Sequence, residues 1–332
     1  MAASISDLLL DWYDTHARKL PWRAGPRDPR PDPYRVWLSE VMLQQTTVAA
    51  VKPYFAAFTA RWPTVEALAA AEEADVMAAW AGLGYYSRAR NLARAARAVA
   101  ARGGFPGTEV ELRALPGLGA YTAAAVAAIA FGRRAVVVDT NVERVLARLF
   151  AIAEPLPAAR KSIRMRAEQI TPDERPGDFA QAMMDLGATI CVPREPRCLL
   201  CPLSAVCVGR RSGAPARFPV KPAKKVRPMR RGKAYWIERD GAVWLVRRAG
   251  RGMLGGMRAL PDDGWGVTGD GTDGFSGEAL GVVRHGFTHF DLELSVERLD
   301  EPLGEGEWWQ LEKLDEAGLP TLFAKAARFA IG

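Results

Sequence analysis

Two periodicities divide this chain. Up to about residue 210 apolar residues recur at the three-and-four spacing of buried helix faces. The clearest helix opens at Asp32-Pro33, a capping residue followed by proline in the first turn. Trp37, Val41, Val48, Val51 and Phe55 then fall on one side of a continuous helical wheel, so the spacing predicts one helix through all five. Further helices are expected over 5–18, 86–102, 119–131, 141–151 and 179–188. Many short helices with short connections indicate a compact all-α fold, not a long bundle. Beyond residue 233 the period becomes two. Thr288, Phe290, Leu292, Leu294 and Val296 alternate with His289, Asp291, Glu293, Ser295 and Glu297, which predicts a half-buried strand from residue 288. Residues 234–248 are also rich in strand formers. The expected organisation is a mostly α domain over 1–210, a linker over 211–233 and a small α+β domain over 234–332. No fixed-period repeat is present.

Charge sharpens that division. Residues 234–332 hold 17 acidic and 10 basic side chains, a net of −7, so the first 233 residues carry +14 of the total +7. From Val208 to Lys233 there are ten basic residues and no acid. The N-terminal part and the linker therefore read as a polyanion-binding surface, and the last domain does not. A high-GC genome accounts for arginine outnumbering lysine, but not for two segments differing so far in charge. No apolar run approaches the roughly 18 residues of a membrane span. The N-terminus has no basic stretch followed by an apolar one, so no secretory signal is expected and the reducing cytosol is the expected compartment.

All four cysteines fall in one short segment, Cys191, Cys198, Cys201 and Cys207, with spacing C-x6-C-x2-C-x5-C. Four thiolates are the ligand set of a [4Fe–4S] cluster, and they also suit a structural zinc ion. Disulfides are disfavoured in the cytosol. Zinc sites often pair two C-x2-C units or recruit histidine. Here there is one such unit, and His16, His285 and His289 are distant in sequence, so ligand type favours the cluster without deciding it.

Three further motifs carry chemistry. Leu115-Pro116-Gly117-Leu118-Gly119 predicts a tight turn into a helix whose open N–H groups attract phosphate, or an ordinary helix–helix turn. Thr140 and Glu143 form a T-x-x-E capping box that leaves Asp139 just outside the helix, ionised by the helix dipole. The alternative is that Asp139 is itself the cap. Glu40 sits at the edge of the apolar sector with Gln44 one turn on, so a desolvated carboxyl of raised pKa is expected, unless the helix tilts it into water. A carboxyl kept protonated by burial beside one kept charged by a helix end is the pairing that glycosidic bond cleavage needs.

The runs Trp37–Thr47 (W-L-S-E-V-M-L-Q-Q-T-T), Leu83–Arg88 (L-G-Y-Y-S-R), L-P-G-L-G-A-Y-T, V-D-T-N-V-x-R-V-L-A-R and the cysteine loop together resemble the A/G-specific adenine DNA glycosylases of the MutY type. These belong to the helix-hairpin-helix superfamily shared with endonuclease III. The resemblance runs from about residue 5 to the end of the chain. It implies a helical glycosylase domain with a hairpin at 115–121, a [4Fe–4S] cluster on the loop 191–207, and phosphate contacts at Gly117 and Gly119. It further implies that Glu40 protonates adenine and that Asp139 stabilises the oxocarbenium ion, with Tyr121 and Asn141 in support. Bifunctional relatives have lysine where this chain has Tyr121, so the resemblance implies a monofunctional enzyme. Leu20, Trp22, Arg23 and Gln181 match positions around the extruded adenine, although Leu20 and Trp22 also suit core packing. Gln45, Thr46, Leu83 and Tyr85 match residues that probe the opposite base. Extrusion fits the chemistry, because the glycosidic bond is inaccessible inside a duplex.

The C-terminal segment is similar to the family's Nudix-like domain. Gly255-Gly256-Met257-Arg258-Ala259-Leu260-Pro261 keeps only the lead-in to the magnesium-binding Nudix box, so the segment reads as a recognition module, not a pyrophosphatase. Phe287-Thr288-His289 resembles the F-S-H loop that recognises 8-oxoguanine, with threonine in place of serine; the plain alternative is that Thr288 is a buried strand residue. The expected partner is double-stranded DNA with adenine opposite 8-oxoguanine or guanine, bound by a monomer in the cytoplasm, associated with the nucleoid. The competing readings are an endonuclease III-like glycosylase/lyase and a non-catalytic DNA-damage sensor.

Overall fold

The computed structural model describes residues 4–222, 227–248, 253–265 and 275–332. Lys224 and Lys225 of the basic linker lie outside the described residues. The chain groups into two compact units, Met1–Ala71 with Asn91–Ala223, and Glu72–Arg90 with Lys224–Gly332. Helical periodicity does not separate residues 72–90 from their neighbours, although they group with the second unit.

The first unit is helical. Asp32 caps the helix Pro33–Leu43 through the Tyr34 N–H, as the Asp-Pro pair predicts. The helix does not run on to Phe55. It stops at Leu43, Gln45 turns with φ +56°, and Thr47 caps a new helix, Val48–Arg61, by accepting from the Ala50 N–H. The apolar period survives this break, so the wheel could not reveal it. Helices Glu109–Arg113 and Ala120–Ile129 form the hairpin around Leu115–Gly119. Gly117 adopts φ +74°, and a Cβ there would sit 2.5 Å from the Asn91 Cβ, so the turn requires glycine.

Helix Thr140–Leu149 buries Val142, Val145, Leu146 and Leu149, and with them Arg148, which is only 2% exposed. A charge buried that far must be fully hydrogen-bonded. Arg148 donates to the carbonyls of Cys191, Val192, Pro193 and Phe218. It thereby ties the cysteine loop to the helix.

The second unit contains two sheets. Strand Met229–Trp236 lies parallel to Asp291–Arg298, which pairs antiparallel with Glu278–Gly286. Strand Ala242–Arg247 pairs with Glu238–Arg239, Arg258–Ala259 and Gly306–Gln310. Trp236, Leu245, Trp265, Leu292, Leu294, Val296 and Phe323 of helix Thr321–Ile331 form the core. The alternation of Leu292, Leu294 and Val296 is as expected, but the strand begins at Asp291, not Thr288. Met229 opens a strand inside the stretch that composition assigns to the linker. Among the described residues no helix is long and apolar enough to cross a membrane.

Candidate active site

Two carboxyl groups and a phenol meet in the first unit. Glu40 projects from helix Pro33–Leu43 and is 6% exposed. Tyr121, in the first turn of the hairpin's second helix, donates its hydroxyl to Glu40 Oε2 at 2.6 Å. Burial pushes the Glu40 pKa above the ordinary carboxylate value; the Tyr121 hydrogen bond and the Arg23 charge oppose this, and the Asp139 charge adds to it. The Tyr121 phenol is likewise held well above its usual value, first by burial and then by Glu40 and Asp139. Glu40 thus lies inside the apolar packing, not on a wet flank.

Asp139 takes the second of its two expected arrangements. The Thr140–Glu143 capping box does not form. Asp139 is itself the N-cap, its Oδ1 accepting the Val142 N–H at 2.7 Å, and Glu143 accepts from Arg160 instead. A carboxylate beats a hydroxyl at a helix start because it interacts with the dipole as well as the N–H. Its other oxygen, Oδ2, accepts from the Asn141 amide at 3.0 Å. Asn141 in turn accepts from Arg144, which also donates to the carbonyls of Cys191 and Gly187. Gly187 has no side chain where a Cβ would stand 2.7 Å from the Asn141 Cβ, which lets the amide reach Asp139. A continuous chain of hydrogen bonds therefore joins the cysteine loop to Asp139.

Arg23 is held beside Glu40 by Asp185, a completely buried acid on helix Pro176–Thr189. Arg23 Nη1 lies 2.8 Å from Asp185 Oδ1, and Arg18 donates from both its backbone N–H and Nε. Sequence reasoning missed Arg18, Asp185, Arg144 and Arg148. The available signal was a charge within an otherwise apolar helix face, as for Asp185 after Ala182, Met183 and Met184. Gln181, one turn before Asp185, is 5% exposed, and its Oε1 has no hydrogen-bond partner among the described residues. An acceptor left unpaired at that depth is ready for a ligand donor. Trp22 packs edge-on against Phe55 and is a core residue, and Leu20 is half-buried.

The helix after Gly119 has no side-chain cap, and Gly117 and Gly119 are exposed, so its first N–H groups face outward. Gln45 is exposed in the break between helices, and Thr46 beside it is half-buried, its hydroxyl donating to the Gln44 carbonyl.

Cys191, Cys198, Cys201 and Cys207 line one cavity, together with Arg148 and Arg210, and none forms a disulfide. Among the described residues no group of three or more His, Cys, Asp and Glu side chains is placed to hold a single metal ion.

The second unit brings together other expected residues. Thr288 and His289 are exposed in the turn between strands Glu278–Gly286 and Asp291–Arg298, so Thr288 is a loop-tip residue and not a buried strand position. The Tyr85 hydroxyl lies 3.4 Å from Thr288 Oγ1. Tyr85 is 46% exposed at φ +50°, while Leu83 packs inward at 6%. Arg88 donates to the carbonyls of Leu83 and Gly84, fixing this turn.

Residues 38–171 match the HhH-GPD superfamily of base excision DNA repair proteins, and 233–328 match a NUDIX domain. A solved thermostable thymine-DNA glycosylase superimposes with a TM-score of 0.54 at 30% identity, over 62% of this chain and 95% of that one. A Mycolicibacterium smegmatis adenine DNA glycosylase is 44% identical over 210 residues, 63% of this chain and 70% of its own. The chain belongs to the adenine DNA glycosylase family. The human adenine DNA glycosylase is 37% identical over 310 residues, 77% of this chain. The chain spans about half the length of such mammalian relatives, 57% of the human protein and 40% of the rat one. A helix-hairpin-helix glycosylase fold is joined in this chain to a Nudix-like α+β domain.

Proposed function

We propose that this chain is a base-excision-repair DNA glycosylase that hydrolyses the N-glycosidic bond of adenine opposite 8-oxoguanine or guanine in duplex DNA. The observation that carries the reading is the buried Glu40 carboxyl, hydrogen-bonded by Tyr121 and within electrostatic reach of the Asp139 carboxylate. Adenine is extruded from the duplex into this site. Glu40 gives its proton to a ring nitrogen of the base, which lets the base leave with the bonding electrons. Asp139, held by the Val142 N–H and the Asn141 amide, faces the positive charge that develops on the sugar. Water adds to C1′, and its proton restores Glu40. The products are free adenine and an abasic sugar. Tyr121 is a phenol and forms no imine with that sugar, so the strand stays intact. Arg23 and the unpaired Gln181 Oε1 supply a donor and an acceptor at the edge of the base.

Gly117 and Gly119 present backbone N–H groups to a DNA phosphate. Gln45, Thr46 and Tyr85 meet the opposite strand, and Thr288, with Phe287 and His289 flanking it, reads 8-oxoguanine through its hydroxyl. The four cysteines suit a [4Fe–4S] cluster. They line one cavity, and four thiolates are the ligand set of that cluster. When bound, the cluster supplies a rigid fold for the basic loop that bears Arg194 and Arg197.

Single-turnover reaction with a duplex carrying adenine opposite 8-oxoguanine tests the reading. The expected product is an abasic strand that breaks only on alkali treatment. Spontaneous strand cleavage would establish a lyase instead, and unchanged DNA a non-catalytic damage sensor.

A further inference from the structure

The loop that carries Thr288 is a four-residue turn, Phe287 to Phe290, between two strands whose last pair is Gly286 with Asp291. One backbone hydrogen bond closes it, from the Phe287 N–H to the Phe290 carbonyl at 2.8 Å. Thr288 and His289 project from it into solvent. What holds the two ends of so short a link sets the direction in which its tip points.

The end of the basic linker supplies that hold. Arg227 Nη1 donates to the Phe287 carbonyl at 2.9 Å, and Nη2 lies 3.3 Å from Asp291 Oδ1. The two nitrogens of one guanidinium thus grip both sides of the turn, a carbonyl where it begins and a carboxylate where it ends. The Asp291 N–H donates to the Pro228 carbonyl, and Arg230 lies over the Phe290 ring at 4.2 Å. Beneath the turn, Phe287 packs against Trp265, His285 and Phe290. The aromatic rings fix the floor of the loop, and the arginine fixes its two shoulders.

We propose that Arg227 is a positioning residue for this loop. By setting the orientation of Thr288 it determines the preference for 8-oxoguanine over guanine opposite adenine. The inference rests on the function proposed above. A lysine cannot replace it fully, because a single ammonium does not span both shoulders as a planar fork does.

The test uses the full chain with Arg227→Ala, Arg227→Lys and Asp291→Asn. Single-turnover rates are measured on adenine opposite 8-oxoguanine and opposite guanine. Arg227→Ala is expected to lower the 8-oxoguanine preference about tenfold, the factor one charge-assisted hydrogen bond carries, with the rate opposite guanine unchanged. Arg227→Lys and Asp291→Asn fall between. Hydrogen exchange supplies a readout independent of activity, since amides in 287–290 should exchange faster in Arg227→Ala while the core strands keep their protection. An unchanged preference overturns the proposal. So does an equal loss on both duplexes with a shallower salt dependence, which would make Arg227 a phosphate contact. If the wild-type chain processes neither duplex, the glycosylase reading fails on its own account. Loop exchange then still decides whether Arg227 holds the turn, and unchanged exchange refutes it.

Discussion

Replacing Glu40 by glutamine should move rate and stability in opposite directions. Glutamine keeps the shape of the side chain, and its carbonyl oxygen can accept the Tyr121 hydroxyl that Glu40 accepts at 2.6 Å. What it lacks is a transferable proton. General-acid catalysis contributes about 10²–10⁴ in rate, so single-turnover adenine release should fall at least about 100-fold, about 2.7 kcal/mol of transition-state stabilisation. DNA binding should be retained. Stability follows from the burial of Glu40, which holds its folded-state pKa above the ordinary 4.5. As pH rises past 4.5 the unfolded chain releases this proton first, so the native state then binds more protons than the unfolded one. Wild-type stability therefore falls with rising pH, by up to about 1.4 kcal/mol per pH unit, until the native carboxyl ionises. Glutamine has no such proton. The variant's advantage should be smallest at acid pH and grow by up to about 3–6 °C in Tm per pH unit above 4.5. Calorimetry of both proteins across that range, with adenine release measured in parallel, checks both halves. A gap that closes or reverses as pH rises would mean that the folded protein favours the charged carboxylate, and the general-acid role would go with it.

Other perturbations probe what surrounds the pair. Asp185→Asn leaves the Arg23 guanidinium, only 8% exposed, without its counterion, and should cost about 3–5 kcal/mol, read as a fall in Tm and in adenine release. Gly117→Ala places a methyl group against Asn91 at a backbone angle of +74° and should cost at least about 1–2 kcal/mol; titration with any duplex should show weakened binding, whatever its mispair. Arg148→Met removes the arginine donor from the carbonyls of Val192, Pro193 and Phe218, so visible absorption and iron per purified chain should both drop.

Much of this arrangement was legible in the sequence because it follows from local rules. Asp32-Pro33 starts a helix by capping, the four cysteines crowded into one segment line one cavity, and Glu40 at the edge of an apolar sector proves to be buried. The misses have physical reasons. A wheel cannot see a break that preserves its own phase, so the stop at Leu43 and the turn at Gln45 were hidden. The capping box and the Asp cap satisfy the same helix end, and tertiary contacts decide between them; Asn141 and Arg144 favour Asp139 as cap. Strand alternation ran on through Thr288 and His289, where only the pairing register shows that a turn has begun. The Asp185 cluster joins residues more than 160 positions apart, and no local pattern encodes that meeting.

The central claim is that burial raises the pKa of the Glu40 carboxyl beside the helix-capping Asp139. Carbon-13 NMR of side-chain-labelled glutamate in the full chain, with the Glu40 signal identified by its loss in Glu40→Gln, measures this directly. The account predicts a Glu40 midpoint above 4.5 that moves higher in Tyr121→Phe, where the hydrogen bond favouring the charged form is gone. A midpoint at or below 4.5, or a downward move in Tyr121→Phe, would contradict it.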